Sequence, residues 1–398
     1  MSDNQTVISR SHLVPVEGVL LEDHIATGLD AVSAFCPHPS DLLVIAYPKS
    51  GSTWTLEIID LLLHKGDVES CRRAPITIRT TFLEATIRLR SKSGVDQLKE
   101  MDPPRVIKTH LPFQLVPLGF WEKKCKTIYV ARNAKDTLVS FYYFHHMNKT
   151  CPEPGTWDDF IHKFMRDELQ WGSWYDHVKR FWEEREKRNI LYLFYEDMKE
   201  NPRREVARIM RYLDLSLSDD VISRIVELTT FKKMKENPMA NYTFLSNDIY
   251  DQSISNFIRK GEVGDWKNHF TAEQAAEFDE DYKKKMKQVN IPFKTQLLQW
   301  GSWYDHVKGY WEEREKRNIL YIFYEDMKEN PQHGVDRIMR YLDLSLSDDV
   351  IRHIVELTSF KNMKANPMAN YTFVPKIVFD QSNYSFMRKG HSTPVNFR

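Results

Sequence analysis

The amino-acid sequence predicts an α/β fold built on a doubly wound, mostly parallel sheet. Three observations point there. Short apolar runs without alternation read as strands buried on both faces. Each run precedes a stretch whose apolar residues recur at helical spacing, the pattern of strands alternating with crossover helices. The first strand–helix junction is a P-loop-like segment of glycine and hydroxyl residues.

The first strand is expected over residues 41–46, running into Tyr47-Pro48-Lys49-Ser50-Gly51-Ser52-Thr53. Trp54, Ile58, Leu61 and Leu62 then share a helix face, and Gly66 and Asp67 make the stop. A second strand is expected over 105–108, before Thr109-His110-Leu111-Pro112. A third, over 126–131, leads into Arg132-Asn133-Ala134-Lys135-Asp136 and a helix bearing Leu138, Phe141 and Tyr142. A fourth, over 190–195, precedes a helix with Val206, Ile209, Met210 and Leu213 on one face. Ligands of such sheets sit at the carboxyl ends of the strands, where the candidate residues fall.

Composition narrows the function classes. Lys+Arg (56) equals Asp+Glu (56), which excludes a broadly basic nucleic-acid coat and an acidic tail. With 41% hydrophobic residues among 398, the chain has the make-up of a globular protein with a substantial core. No apolar run approaches the ~18 residues of a membrane span, and the polar start lacks a secretory signal pattern. Cys36, Cys71, Cys125 and Cys151 lie far apart, so neither a disulfide framework nor a metal site is spelled, and a cytoplasmic address is expected.

A long internal repeat sets the domain arithmetic. The segment opening Leu169-Gln170-Trp171-Gly172 returns at Leu298-Gln299-Trp300-Gly301 and runs in step to Arg259-Lys260-Gly261, matched by Arg388-Lys389-Gly390. The copies are roughly three-quarters identical over about 93 residues, too few and too long for a solenoid. Residues 1–297 are therefore expected to form one α/β domain, and 298–398 a partial repeat of 169–261 with a divergent tail. Only the first copy continues into Gly264-Asp265-Trp266. The second lacks a phosphate loop, a Lys-Thr-His segment and a counterpart of Arg132, so it cannot build a second site. The expectation is that copy one completes the sheet, leaving copy two's strand without a slot and its apolar face without a partner; copy two displacing copy one, with 169–297 looped out, and a sequence that joins two alternative exon sets stay open as alternatives.

The loop from Lys49 to Trp54 follows a strand and opens a helix, where backbone N–H groups and the helix dipole attract anions. Its lysine precedes the glycine and the first P-loop glycine is missing, so a triphosphate–magnesium site is not spelled. Alone, the loop fits an ordinary tight turn equally well. His110 alone could be structural, Arg259-Lys260 a solvated pair, and Glu196-Asp197 a metal-binding or turn-capping pair, capping being preferred.

Taken together, Tyr-Pro-Lys-Ser-Gly-Ser-Thr-Trp (from Tyr47), Lys108-Thr109-His110, Arg132-Asn-Ala-Lys-Asp136, Phe194-Tyr-Glu-Asp197 and Arg259-Lys260-Gly261-Glu-Val-Gly-Asp-Trp266-Lys267 occur in an order that resembles the cytosolic sulfotransferases of phenol- and amine-conjugating type. The resemblance covers residues 15 to 297. It implies transfer of a sulfuryl group from 3′-phosphoadenosine-5′-phosphosulfate (PAPS), without a metal, to a small acceptor: a phenol, with amines and steroids open. By motif, His110 would be the base, Lys49 and Lys108 cations at the reacting centre, and Ser140 a further catalytic and phosphate-binding residue. Lys49, Ser50, Gly51, Ser52, Thr53 and Trp54 would hold the 5′-phosphosulfate, and Arg132, Ser140, Arg259, Lys260 and Gly261 the 3′-phosphate. Tyr195, Thr229, Thr230, Phe231, Lys232, Lys233, Met234, Phe257 and Ile258 would complete the nucleotide pocket. Lys108, Thr109 and His110 would meet the acceptor.

The family's dimer segment keeps Lys267 and Thr271 here, but Ala272 and Ala276 replace its valine and glutamate, so a homodimer is open. No nucleic-acid or membrane partner is implied. The rival readings are a kinase-like phosphotransferase, needing ATP and magnesium, and a nucleotide-binding protein left inactive by the duplication.

Overall fold

The computed structural model describes residues 9–86, 92–295, 307, 310–370 and 372. The chain separates into two compact units, Met1–Gln299 and Trp300–Arg398.

In the first unit, five parallel strands stand in the order β4-β5-β3-β6-β7, with β3 at Leu42–Ala46, β4 at Thr81–Phe82, β5 at Val106–Thr109, β6 at Lys126–Ala131 and β7 at Ile190–Phe194. Central β3 is buried throughout because both of its faces are covered. Leu43 and Ile45 join a core with Tyr129, Phe141 and Phe181, while Leu42, Val44 and Ala46 face Leu56, Ile59, Ile128, Leu193 and Ile209. That two-sided burial is the physical origin of the unalternating apolar run.

Register places the functional loops side by side. Ile45 pairs with Thr109 on β5, Ala46 with Val130 on β6, and Ala131 with Phe194 on β7. The segments that leave these strands, at Lys49, His110, Arg132 and Tyr195, thus open at one end of the sheet.

The expected strands are present with edges shifted by one residue at most, and Tyr195 begins the helix Tyr195–Glu200 instead of ending β7. Two features were not expected: the two-residue β4, and a hairpin of β1 (Leu13–Val16) with β2 (Val19–Glu22), turned at Glu17 and Gly18, both at positive φ. The Glu196 carboxylate reaches beyond its own turn: its Oε1 accepts from the Asn133 backbone N–H at 2.8 Å and from Asn133 Nδ2 at 2.9 Å, tying the β6 loop to the helix that follows β7.

The helix Ser52–Leu63 is fastened by a buried ion group. Arg79 Nη2 donates to Glu57 Oε2 at 2.7 Å and Nη1 to Asp60, and all three side chains are at most 5% exposed. Arg79→Ala leaves buried Glu57 without a cation and Asp60 with Arg73 alone, and is expected to cost about 3–5 kcal/mol, measured by urea unfolding. An unchanged midpoint would contradict this.

In the second unit, helices Tyr324–Glu329, Pro331–Tyr341, Asp348–Leu357 and Phe360–Ala365 repeat Tyr195–Glu200, Pro202–Tyr212, Asp219–Leu228 and Phe231–Glu236. The counterpart of β7, Ile319 to Phe323, forms no strand. Phe323 and Tyr324 are 45% and 64% exposed, where Phe194 and Tyr195 are 8% and 7%. Copy one supplies the strand beside β6, and copy two carries its aromatic face in the open.

Candidate active site

The carboxyl end of the sheet opens into a cavity of about 760 Å³. The β3 loop enters it in strained backbone: Lys49 has φ +67° and Gly51 φ +104°. A side chain at Gly51 would put its Cβ 2.7 Å from the Tyr195 ring, so glycine is required there. Gly51 also offers no side-chain cap to the helix Ser52–Leu63, which leaves its first N–H groups without a capping side chain where an anion would sit. Gly261, at φ +67°, is pressed in the same way against Phe231.

Cations line the cavity with aromatic backing. Lys49 Nζ lies 3.8 Å from the centre of the Phe257 ring and 4.7 Å from that of Phe144. Lys108 Nζ lies 4.8 Å over Phe82, the Arg132 guanidinium 4.5 Å over Tyr195, and the Arg259 guanidinium 4.9 Å over Tyr143. Burial, then the charges of Lys108, Arg132 and Arg259, push the Lys49 ammonium down to about 7. Arg132 Nε, Arg259 Nε and Trp54 Nε1, all on residues of the lining, are buried with no protein partner. Crowded cations beside unsatisfied donors form a cradle suited to an anion with several acceptor oxygens. PAPS fits that description.

The Arg259 and Lys260 pair is set by Asp265, whose carboxylate accepts from Arg259 Nη2 at 2.6 Å and Lys260 Nζ at 2.7 Å. Asp136 in turn accepts from the backbone N–H groups of Gly264 at 2.7 Å and Trp266 at 3.0 Å. This is what the Gly264-Asp265-Trp266 segment does, and copy two has none of it.

His110 is held at both ring and backbone. Its Nδ1 lies 2.5 Å from the Ala46 carbonyl oxygen, which only accepts, so Nδ1 carries the proton and Nε2 the lone pair. Its backbone N–H donates to Glu84 Oε1 at 2.6 Å. Its ring meets Phe82 and Trp171 edge-on, with centroids 5.3 and 5.6 Å away. Burial, with Lys108 nearby, drives its pKa well below 6.5, so the imidazole is neutral at physiological pH.

Most expected site residues line this one cavity: Lys49, Gly51, Ser52, Thr53, Trp54, Lys108, His110, Arg132, Ser140, Tyr195, Thr229, Phe231, Met234, Phe257, Ile258, Arg259, Lys260 and Gly261. Five do not. Ser50 is buried outside the lining, and Thr109 is fully buried, its hydroxyl donating to Glu84 at 3.1 Å. Thr230 is exposed, bonded to the Glu227 carbonyl, and Lys232 and Lys233 are exposed. Phe82, Glu84, Trp171 and His177 were missed; Trp171 stands in the repeat's opening Leu-Gln-Trp-Gly, the one signal for it.

A family profile described as "Sulfotransferase domain" matches residues 39–290 and again 292–393. Mouse sulfotransferase 1 family member D1 is 48% identical over 295 residues, 74% of this chain and 100% of that protein. The chain belongs to the cytosolic sulfotransferase family. Dog sulfotransferase 1A1 is 50% identical over 289 residues, 73% of this chain and 98% of that protein. Among solved structures, mouse sulfotransferase SULT7A1 complexed with PAP is 30% identical, with TM-score 0.58 over 70% of this chain and 95% of its own. Retinol dehydratase, complexed with androsterone and inactive cofactor PAP, has TM-score 0.66 at 23% identity, covering 72% and 92%, which speaks to fold alone. This sulfotransferase moves a sulfuryl group from PAPS to a hydroxyl acceptor; neither a kinase-like reading nor an inactive one finds support. Among the described residues, the one His/Cys/Asp/Glu grouping close enough to share a metal is Asp60, His64 and Cys71, whose Asp60 is taken by Arg73 and Arg79.

Proposed function

We propose that His110 Nε2 takes the proton of a small phenolic acceptor while Lys49, Lys108 and the N–H groups after Gly51 stabilise the leaving phosphate in an in-line displacement. The observation that carries this is the fixed Nδ1–H tautomer of a neutral, buried His110 inside a cation-lined cavity. The donor, when bound, supplies a sulfuryl group already activated by its bond to phosphate. Lys49, Gly51, Ser52, Thr53 and Trp54 would hold that end, and Arg132, Ser140, Arg259, Lys260 and Gly261 the 3′-phosphate. Tyr195, Thr229, Phe231, Met234, Phe257 and Ile258 would enclose the base. Phe82, Phe141 and Trp171 give the rest of the cavity flat apolar walls, which suit a planar phenol over a flexible amine. Residues 1–297 would be the catalytic domain and 298–398 a partial repeat without a site, in a cytoplasmic protein. The test is sulfation of simple phenols by purified protein with PAPS and no added metal.

Proton linkage follows from Lys49. Binding a polyanion restores its ammonium, so binding of 3′-phosphoadenosine 5′-phosphate at pH 8 takes up close to one proton per site. Above the free-protein value of about 7, the apparent Kd rises by about tenfold per pH unit. Calorimetry in two buffers of different ionisation heat checks both; equal heats would refute the linkage.

Thr271 serves here as N-cap of the helix Ala272–Lys285, and Ala272 and Ala276 are exposed. Without the valine and glutamate this segment offers little to seal a dimer, and sedimentation is expected to find a monomer.

A further inference from the structure

His177 is a buried histidine that the reaction scheme above leaves without a role. It lies on the helix Trp174–Glu184, 1% exposed and outside the cavity lining. Its Nε2 stands 3.1 Å from the carbonyl oxygen of His110, and its Nδ1 2.8 Å from the hydroxyl of Tyr129 on β6. A carbonyl can only accept, so Nε2 bears the hydrogen; Nδ1 therefore accepts, and the Tyr129 hydroxyl donates. The tyrosine fixes the tautomer that lets the histidine donate. Tyr129 is itself locked between the rings of Phe181 and Tyr192, each centroid 4.7 Å away. Tyr47, at the end of β3, meets the His177 ring edge-on at 5.6 Å.

We propose that His177, with its tautomer set by Tyr129, is a positioning residue for the catalytic base, fixing the peptide plane from which the His110 side chain projects. The proposal rests on the reading of His110 as base. His110 is otherwise tied at its backbone N–H by Glu84 and at Nδ1 by Ala46. The bond from His177 is the constraint at the carbonyl end. In the His110–Leu111 peptide, the Leu111 N–H is held by the Thr109 hydroxyl at 3.1 Å and the carbonyl by His177 at 3.1 Å, so losing the histidine leaves that plane held at one edge and lets it tilt. A displaced base loses rate, not donor affinity, because the cations that hold the nucleotide sit on other loops.

The repeat supplies an internal control. His306 occupies the matching place in copy two, in the same Trp-Tyr-Asp-His-Val context, and lies outside the described residues. The experiment uses the full chain and five variants: His110→Ala, His177→Leu, His177→Gln, Tyr129→Phe and His306→Leu. For each, kcat and KM with PAPS and 2-naphthol are measured, together with the Kd of 3′-phosphoadenosine 5′-phosphate. His177→Leu is expected to lower kcat by about 10- to 100-fold with Kd unchanged. His177→Gln puts an amide N–H near the place of Nε2 and should recover kcat to within about threefold of the native chain. Tyr129→Phe, which frees the tautomer with little change of packing, should fall between them and carries the test if His177→Leu fails to fold. His306→Leu should behave as the native chain.

Equal kcat for the leucine and glutamine variants, a loss confined to Kd, or a loss in His306→Leu instead of His177→Leu would each overturn the proposal. Native activity in His110→Ala would overturn the base reading and the positioning role with it. An inactive His110→Ala beside a fully active His177→Leu would overturn the positioning role alone.

Discussion

Replacing His110 with alanine is expected to lower kcat by about 10²- to 10⁴-fold, the range for removing a positioned general base. Affinity for 3′-phosphoadenosine 5′-phosphate should hardly change. The side chain is bonded to the Ala46 carbonyl, while the anion cradle is built from Lys49, Arg132 and Arg259, so the cavity keeps its cations when the imidazole goes. The native pH profile should carry a matching signature. Burial and the Lys108 charge disfavour the imidazolium, so its pKa lies well below 6.5 and the base stays deprotonated through the neutral range. On the acid side, kcat/KM should therefore hold level to well below pH 6.5 in the native protein. An acid limb centred near 6.5 would mean a solvated histidine and would remove His110 from the role.

How far this was legible in the sequence depended on whether a residue's job left a pattern in its neighbours. β3 was plain because both faces are buried, so every residue from Leu42 to Ala46 is apolar. β4 was invisible because Thr81-Phe82 is too short to show any period. The β1–β2 hairpin was overlooked because its turn is Glu17-Gly18, a weaker signal than Asn-Gly, and the segment's burial is only partial. At the site, the motif residues on the loops that leave the strands line the cavity with the exception of Ser50, since strand register carries those loops to one end. Those on the short helix Phe231–Glu236 did not all arrive: Phe231 and Met234, three apart, share its inward face, which turns Lys232 and Lys233 outward. Thr109 alternates away from Lys108 along β5 and bonds Glu84 instead of facing the cavity. Glu84 and His177 escaped notice because each acts on the backbone of another residue, a contact that no local spacing encodes. The fate of copy two was half legible. Its helices re-form because their caps and apolar faces are internal to the repeat, for instance Asn330 accepting from the His333 backbone N–H as Asn201 does from Arg204. Its strand does not form, because a β-strand depends on hydrogen bonds from a neighbour.

Lys49→Met is expected to cost about 10²- to 10³-fold in kcat/KM for PAPS, the magnitude of one well-placed charge at the developing anion. Methionine keeps much of the length and apolar stem, so packing against Phe144 and Phe257 should survive and acceptor KM should stay near native. The diagnostic result lies in the pH dependence. In the native protein the ammonium titrates near 7 because burial and three neighbouring cations oppose it. Raising the pH from 7 to 9 strips that charge and weakens anion binding. The methionine variant has no such proton to lose, so its Kd for 3′-phosphoadenosine 5′-phosphate should be weaker at pH 7 and flat up to pH 9. The native and variant curves should therefore converge as pH rises, because deprotonated lysine and methionine are nearly equivalent to a polyanion. Parallel curves would mean that another group titrates, and Lys49 would then be a permanently charged ligand in a cavity wetter than its burial implies.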